Sequence, residues 1–148
     1  MTKLFTFLPS VNNSIIITSI KGRTFMSLKL VFRISAVFSA FNALGLLFMA
    51  NTFFEMANIT PPPDLITLGQ FLGVTVLFLA LVAWRIPDIA GDALSSLGQL
   101  WAIGNVLWFL IAGYHIMAEK AGGATGYFNL ALFAIFAVLF YMQSRKSE

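Results

Sequence analysis

The chain has 148 residues, of which 59% are hydrophobic and only 10% are charged. A soluble domain carries about 25% charged residues, so this chain has too few polar groups to cover a globular surface in water, and its composition indicates a membrane protein. The net charge of +3 does not indicate a nucleic-acid partner, because the lysines and arginines lie at the ends of apolar runs. The absence of cysteine excludes disulfides, thiolate metal sites and cysteine nucleophiles.

The first 25 residues are more polar than the rest of the chain. They lack the apolar region and the cleavage site of a signal peptide. Met26, followed by Ser-Leu-Lys, resembles a translation start just before the first apolar stretch. Two alternatives stay open: translation begins at Met26, or residues 1–28 form a cytoplasmic arm that lies along the membrane surface.

Four uninterrupted apolar stretches follow, at residues 34–54, 65–84, 93–118 and 121–144. None contains a charged residue, and each reaches the about 20 apolar residues that a helix needs to cross a bilayer. We therefore predict an all-α membrane protein whose transmembrane domain, residues 29–144, is a four-helix antiparallel bundle. The predicted helices cover residues 30–54, 65–86, 93–118 and 124–143, and a cytoplasmic tail follows at residues 145–148.

The three connections contain residues that break helices or form turns. Three consecutive prolines at 61–63 predict an extended segment, after which Asp64 caps the next helix. The second connection, residues 85–92, predicts a tight turn that ends at Asp92 as an N-cap. Glycines in residues 121–126 predict a flexible hairpin. Because all three connections are short, we expect consecutive helices to be antiparallel neighbours.

The distribution of lysine and arginine predicts the orientation. Four of these residues lie between positions 21 and 33, just before the first stretch, and the tail adds Arg145 and Lys146, whereas the connection after the first stretch holds Glu55 and Asp64 and no cation. The positive-inside rule places both termini in the cytoplasm. We predict a multi-pass protein of the cytoplasmic, or cell inner, membrane. Arg33, at the start of the first helix, is expected to reach the inner surface as a topology anchor.

The third stretch carries a stripe that includes the only histidine of the chain. Residues at spacings of three and four share one face of a helix, which we expect to face the other helices. The stripe consists of Gly98, Trp101, Asn105, Trp108, Ala112 and His115. His115 has the chemistry of a haem ligand, a proton-transfer group or a quinone contact. We favour an interfacial histidine bonded to a loop carbonyl, because there is no second histidine.

The other polar residues of the stretches are predicted to form two layers, from a helical rise of about 1.5 Å per residue. The layer near the outer boundary, at the level of His115, consists of Asn51, Gln70 and Asn129. The layer near the midplane consists of Asn42, Thr75 and Asn105. The layers are either interhelical hydrogen bonds, worth about 1 kcal/mol each, or the lining of a small pocket that opens outward. We favour hydrogen bonds.

Small residues predict close helix packing. The second stretch has Gly69 and Gly73 at a spacing of four, and the first has Asn42 and Gly45. Such residues pack helices either within one bundle or against a partner protein.

From residue 29 to residue 141 the order of features resembles small bacterial four-helix inner-membrane proteins similar in style to the DoxX-like family. The features are an arginine that opens the first span, Asn-x-x-Gly within it, Gly-x-x-x-Gly early in the second span and Ala-Trp-Arg at its end. The resemblance implies a compact four-helix bundle in a cytoplasmic membrane. It implies no site residues.

No span contains an acidic residue, and no motif predicts a catalytic site or a metal site, so we do not expect an enzyme. The favoured function is an accessory or scaffold subunit that packs against a partner, in a homo-oligomer or a larger membrane complex. The alternative is a binder or carrier of a small apolar molecule, such as a quinone, lipid or pigment. Its ligand would lie between the helices, oriented by His115, Asn105 and Gln70, with Trp101 and Trp108 as walls. A transporter, which would require oligomerisation, is a third alternative. No cofactor is assigned.

Overall fold

A computed structural model describes residues 26–146, and within this range the regular structure is helical. The helices are α1 (Leu28–Phe48), α2 (Ala50–Glu55), α3 (Pro63–Ile89), α4 (Leu94–Met117) and α5 (Gly123–Lys146), with a 3-10 turn at Gly91–Ala93. The four long helices are long and apolar enough to cross a membrane, which confirms the all-α class with four long apolar helices and indicates a multi-pass membrane protein. The alternatives for the first 25 residues lie outside the described part of the chain.

The first predicted span is divided into two helices. Met49 leaves the helical conformation, with φ −133° and ψ 35°, and α2 follows it. The Met49 N–H still donates to the Gly45 carbonyl at 2.9 Å, and the Phe53 N–H donates to the Met49 carbonyl at 2.8 Å. The distortion therefore reorients α2 without separating it from α1. It brings the Phe53 ring against Gly45, where a β-carbon would lie 2.9 Å from the ring.

Both predicted N-caps are wrong. α3 begins at Pro63, and its N-cap is the extended residue Pro62, with no side-chain hydrogen bond. Proline suits the first helical position because its φ is already helical and its missing N–H would have no partner there. Asp64 instead lies in the first turn, where its charge favours the helix dipole. Asp92 lies within the 3-10 turn, and the N-cap of α4 is Ala93.

α3 continues beyond the start of the predicted turn. Pro87 lies inside the helix, although a proline removes one hydrogen bond and crowds the carbonyl four residues earlier. Ile86 and Pro87 are both buried. The chain reverses only after Ile89, at Gly91, whose φ of +52° suits a residue without a β-carbon.

The helices pack in two pairs, α1 with α3 and α4 with α5. The two pairs contact each other much less, through α1 with α5 and α1 with α4. α3 and α4 are consecutive along the chain but have almost no contact. The prediction that consecutive helices are neighbours is therefore wrong for this pair.

Small residues explain the close packing of α1 and α3. A β-carbon on Gly73 would lie 2.9 Å from Leu47 Cγ and 3.2 Å from the Ala43 carbonyl oxygen. A β-carbon on Gly69 would lie 2.7 Å from the Phe54 ring. Both predicted packing glycines are buried within this chain.

The two pairs meet in an apolar core near the C-terminal end of α5. The Phe32 side chain is fully buried, and its ring lies edge-on to Trp101 at 5.5 Å and to Phe140 at 4.7 Å between ring centroids. Gly98 lies directly against Ser144 in the same region. The core residues are Leu28, Val31, Phe32, Ala36, Ala83, Ile86, Ala102, Phe136 and Phe140.

Backbone hydrogen bonds join the two pairs again at the start of α5. The Gly122 N–H donates to the Ala57 carbonyl at 2.8 Å, and the Thr125 N–H donates to the Met56 carbonyl at 3.3 Å. Gly123, with φ +62°, lies against the Met56 carbonyl. The segment after α2 is therefore fixed to α5, and α1 and α5 form a continuous seam between the pairs.

The Arg33 side chain contacts two residues near the end of α3. Its guanidinium donates to an Asp88 carboxylate oxygen at 3.0 Å and lies 5.7 Å from the centroid of the Trp84 ring. Both partners of the ion pair are exposed by more than a third, at 47% and 41%, so it contributes at most about 1 kcal/mol to stability. The contact joins the start of α1 to the end of α3.

Gly73→Ala should lower the free energy of unfolding by about 1–3 kcal/mol, because the added β-carbon would push α3 away from the α1 backbone. Gly104→Ala is the matched control, since a β-carbon there meets no heavy atom within 4 Å. The melting temperature in detergent, followed by tryptophan fluorescence, measures both. We expect a lower melting temperature for Gly73→Ala and an unchanged or slightly higher one for Gly104→Ala; equal shifts would contradict the packing described above.

Candidate ligand-binding groove

A groove of about 900 Å³ lies between the two helix pairs. All four long helices contribute to it, and its volume falls within the roughly 300–1,000 Å³ of small-molecule sites in proteins. The groove is open between α3 and α4, where the lining side chains Leu72, Leu79, Leu107 and Ile111 are exposed. We call this space the groove. It lies where the α1–α3 pair and the α4–α5 pair, as described for residues 26–146, make few contacts with each other.

Five of the six stripe residues predicted on α4 line the groove: Trp101, Asn105, Trp108, Ala112 and His115. The sixth, Gly98, is buried against Ser144 beyond the end of the groove. The helical spacing therefore placed these side chains on one face correctly, and that face turns toward the other helices.

The two tryptophans of the stripe are held by other rings. Trp101 lies edge-on to the buried Phe32. Trp108 stacks on Phe133 of α5, with centroids 5.8 Å apart and ring planes 20° from parallel. Such aromatic pairs contribute about 0.5–1.5 kcal/mol beyond the area they bury. The tryptophans are thus fixed parts of the groove wall.

Asn105 is one of the few polar side chains in the groove. Its amide nitrogen donates to the Trp101 carbonyl of the same helix at 2.8 Å. The side-chain oxygen has no hydrogen-bond partner among residues 26–146. An acceptor therefore remains at the surface of the groove.

Asn42 and Asn129 join α1 to α5 at the groove. The Asn42 amide nitrogen donates to the Asn129 side-chain oxygen at 3.0 Å, and both residues line the groove. A direct bond means that the two side chains lie at one level, so their assignment to separate layers is wrong.

Gln70 is not part of the groove. Its amide nitrogen donates weakly, at 3.5 Å, to the Leu47 carbonyl, and it lines a separate hollow of about 300 Å³ with Thr67 and Phe71. The last carbonyls of a helix lack partners within the helix, and α1 ends at Phe48. Gln70 therefore bonds to a carbonyl at the end of α1. Its position does not support the prediction that it acts together with His115.

His115 lines the groove, partly buried, near the start of α5. Its imidazole lies edge-on to the Tyr114 ring, with centroids 5.3 Å apart. The imidazole makes no hydrogen bond to any residue in the described range. The expected bond from the imidazole to a loop carbonyl is therefore absent there. The same range contains no group of three His, Cys, Asp or Glu residues that could hold a metal ion.

Several groove residues were not singled out from the sequence. Lys120 and Thr125 line the groove close to His115, and Gly104 and Ser39 line it farther along α4 and α1. Gly104 widens it, because no heavy atom lies within 4 Å of the position of its missing β-carbon. Gly104 lies three residues after Trp101 and four before Trp108, and this spacing was a usable signal for the same face. Lys120 and Thr125 lie in or beside the turn between α4 and α5, and only the turn geometry brings them to the groove.

The bond between Asn42 and Asn129 predicts energetic coupling between the two helix pairs. Asn42→Leu and Asn129→Leu should each destabilise the protein, because each leaves the other amide without its partner. The double variant should lose less than the sum, with a coupling energy of about 0.5–1.5 kcal/mol. Thr75→Val, which removes a hydroxyl bonded within α3 to the Phe71 carbonyl at 3.1 Å, should be additive with Asn129→Leu. Additivity of the two asparagine variants in equilibrium unfolding would contradict the bond.

No known protein family, curated protein or solved structure matches the chain. The groove is therefore interpreted from its own residues and their contacts.

Proposed function

We propose that this protein binds an elongated apolar small molecule in the groove, as a non-enzymatic carrier or binding protein of the membrane. The observation that carries the proposal is the groove itself, about 900 Å³ bounded by all four long helices. It has the composition of a small-molecule site, with mostly apolar walls and a few polar groups that can orient a ligand. His115, Asn105, Trp101 and Trp108 are the ligand-contacting residues of this proposal.

The shape of the groove supports an elongated ligand. Its lining on α4 extends from Leu100 to Ile116, which corresponds to about 24 Å at 1.5 Å per residue. Along this length the two fixed tryptophans provide flat apolar surface. A compact polar metabolite would leave most of that surface without contact.

The arrangement in the membrane is also part of the proposal. We infer an antiparallel bundle in a cytoplasmic membrane, with both termini inside and His115 near the outer surface. Supporting contacts are the Arg33 to Asp88 ion pair and the Ser95 hydroxyl, which donates to the Ser144 carbonyl at 2.8 Å. They bring the start of α1 to the end of α3, and the start of α4 to the end of α5. The excess of lysine and arginine at the termini supports the orientation.

The scaffold function stays a prediction, as does the resemblance to DoxX-like proteins. Gly69 and Gly73, which motivated a packing surface for a partner, are covered by Phe54 and Leu47 of the same chain. We therefore favour ligand binding in the groove over the scaffold function.

Gly104→Trp should reduce the ligand that co-purifies with the protein by about tenfold, because the new side chain fills the groove. Val106→Trp is the control, since Val106 lies on the same helix, is 45% exposed and does not line the groove. Organic extraction of the purified proteins and mass spectrometry give the molar ratio of each bound compound. We expect a compound near a 1:1 ratio in the wild type and in Val106→Trp.

An equal loss of co-purifying ligand in both variants would mean that any large side chain added to α4 reduces binding, whether or not it lies in the groove. This result would contradict the proposal. A wild type that carries no compound above the level of bulk membrane lipid would also contradict the proposal. A folded Gly104→Trp variant is verified by its elution volume and melting temperature.

A further inference from the structure

We propose that the ligand is a long-chain amphiphile with an acidic head group, that Lys120 binds this head group, and that the ligand enters sideways from the bilayer between α3 and α4. This inference rests on the proposed function and specifies its ligand class. The occupant is a free fatty acid, and the binding chemistry is that of an acyl chain with an ionised carboxylate.

The charges around the groove favour an anion. Lys120 is the only charged residue among the groove-lining residues that the structure describes. The nearby acidic residues Glu55, Asp64 and Glu119 do not line it. The lysine and the acidic residues are thus separated, and the groove itself carries a net positive charge. A cationic or zwitterionic head group would gain less there than an anionic one.

Lys120 is available to such a ligand. In the described range it has no carboxylate within ion-pair distance, and its ammonium lies 5.9 Å from the centroid of the Tyr114 ring. A ring contact at this distance holds the side chain without neutralising its charge. The Lys120 N–H donates to the His115 carbonyl at 3.0 Å, so the backbone of Lys120 lies beside that of His115.

Two further polar groups lie at the same end of the groove. The His115 imidazole has no hydrogen-bond partner among the described residues, and Thr125 supplies a hydroxyl. Either can donate to the second oxygen of a carboxylate. The head-group site is thus Lys120 with His115 and Thr125.

The remainder of the groove suits a hydrocarbon chain. From His115 to Trp101 the lining of α4 extends about 21 Å, at 1.5 Å per residue, past the stacked ring of Trp108. The opening between α3 and α4 lies along the same length, bordered by exposed leucines such as Leu72 and Leu107. In a bilayer this opening faces lipid, so a chain enters without passing through water.

Fluorescence quenching by a brominated probe tests the head group directly. The chain has three tryptophans, and in a Trp84→Phe background the remaining two, Trp101 and Trp108, both line the groove. The probes are dibromostearic acid at a pH where it is ionised, and its methyl ester, each titrated at a fixed concentration of non-ionic detergent. Bromine quenches indole fluorescence on contact, so saturable quenching reports occupancy.

We expect the acid to bind more tightly than the ester, and Lys120→Gln to weaken binding of the acid about fivefold while leaving the ester unchanged. Lys120→Arg should retain most of the affinity for the acid. Lys146→Gln, at the other end of α5, is the charge control and should change neither affinity. Unchanged ester binding by Lys120→Gln also verifies that this variant is folded.

Equal binding of acid and ester, or an equal loss for both probes in Lys120→Gln, would overturn the head-group assignment and leave the proposed function standing. Quenching by both probes that does not saturate would instead overturn the proposed function. A larger effect of His115→Ala than of Lys120→Gln on the acid would assign the head group to the histidine and contradict the proposal for Lys120.

Discussion

α1 packs against α3 through residues too small to keep the backbones apart, and this contact determines where the other helices lie. Gly69, Gly73, Ala80 and Ala83 are the small buried residues of α3. Gly73 lets α3 approach the α1 backbone and Gly69 accommodates the Phe54 ring of α2, whereas α4, which follows α3 after a short turn, has almost no contact with it. α4 pairs with α5 instead. A bundle built from two such pairs, joined along one seam, leaves the groove on the opposite side.

The polar groups along the seam are hydrogen-bonded within the protein, whereas several polar side chains in the groove are not bonded to any residue that the structure describes. Along the seam, Asn42 bonds to Asn129, and the backbone of the segment after α2 bonds to the start of α5. In the groove, His115 and Lys120 lack such partners within the described residues. Lys120 is exposed and lies in the turn between α4 and α5. In the proposed complex, the polar end of the bound molecule supplies partners to both side chains.

Much of the fold follows from the sequence because each long helix is encoded locally. Four charge-free stretches predict the four long helices, and the spacing of Trp101, Asn105, Trp108 and His115 predicts a shared face. The distortion at Met49 has no comparable signal, since it arises from the packing of α2 onto glycines of other segments. The position of Gln70 depends on that distortion, because the end of α1 supplies its acceptor. Composition and residue spacing predict the position and the faces of single helices. They do not predict that α3 and α4 are apart, because this depends on which pairs of helices pack most closely.

The central claim is that the groove between the two helix pairs holds a hydrocarbon chain. Isotope-filtered NOE spectroscopy of the labelled protein with protonated oleate in deuterated detergent measures this contact directly. We predict NOEs from the acyl chain to the indole protons of Trp101 and Trp108, and none from the chain to the protons of the buried Phe32 ring. NOEs between side chains of α3 and α4 along the length of the groove, without contacts from the acyl chain to either indole, would show a closed bundle and contradict the claim.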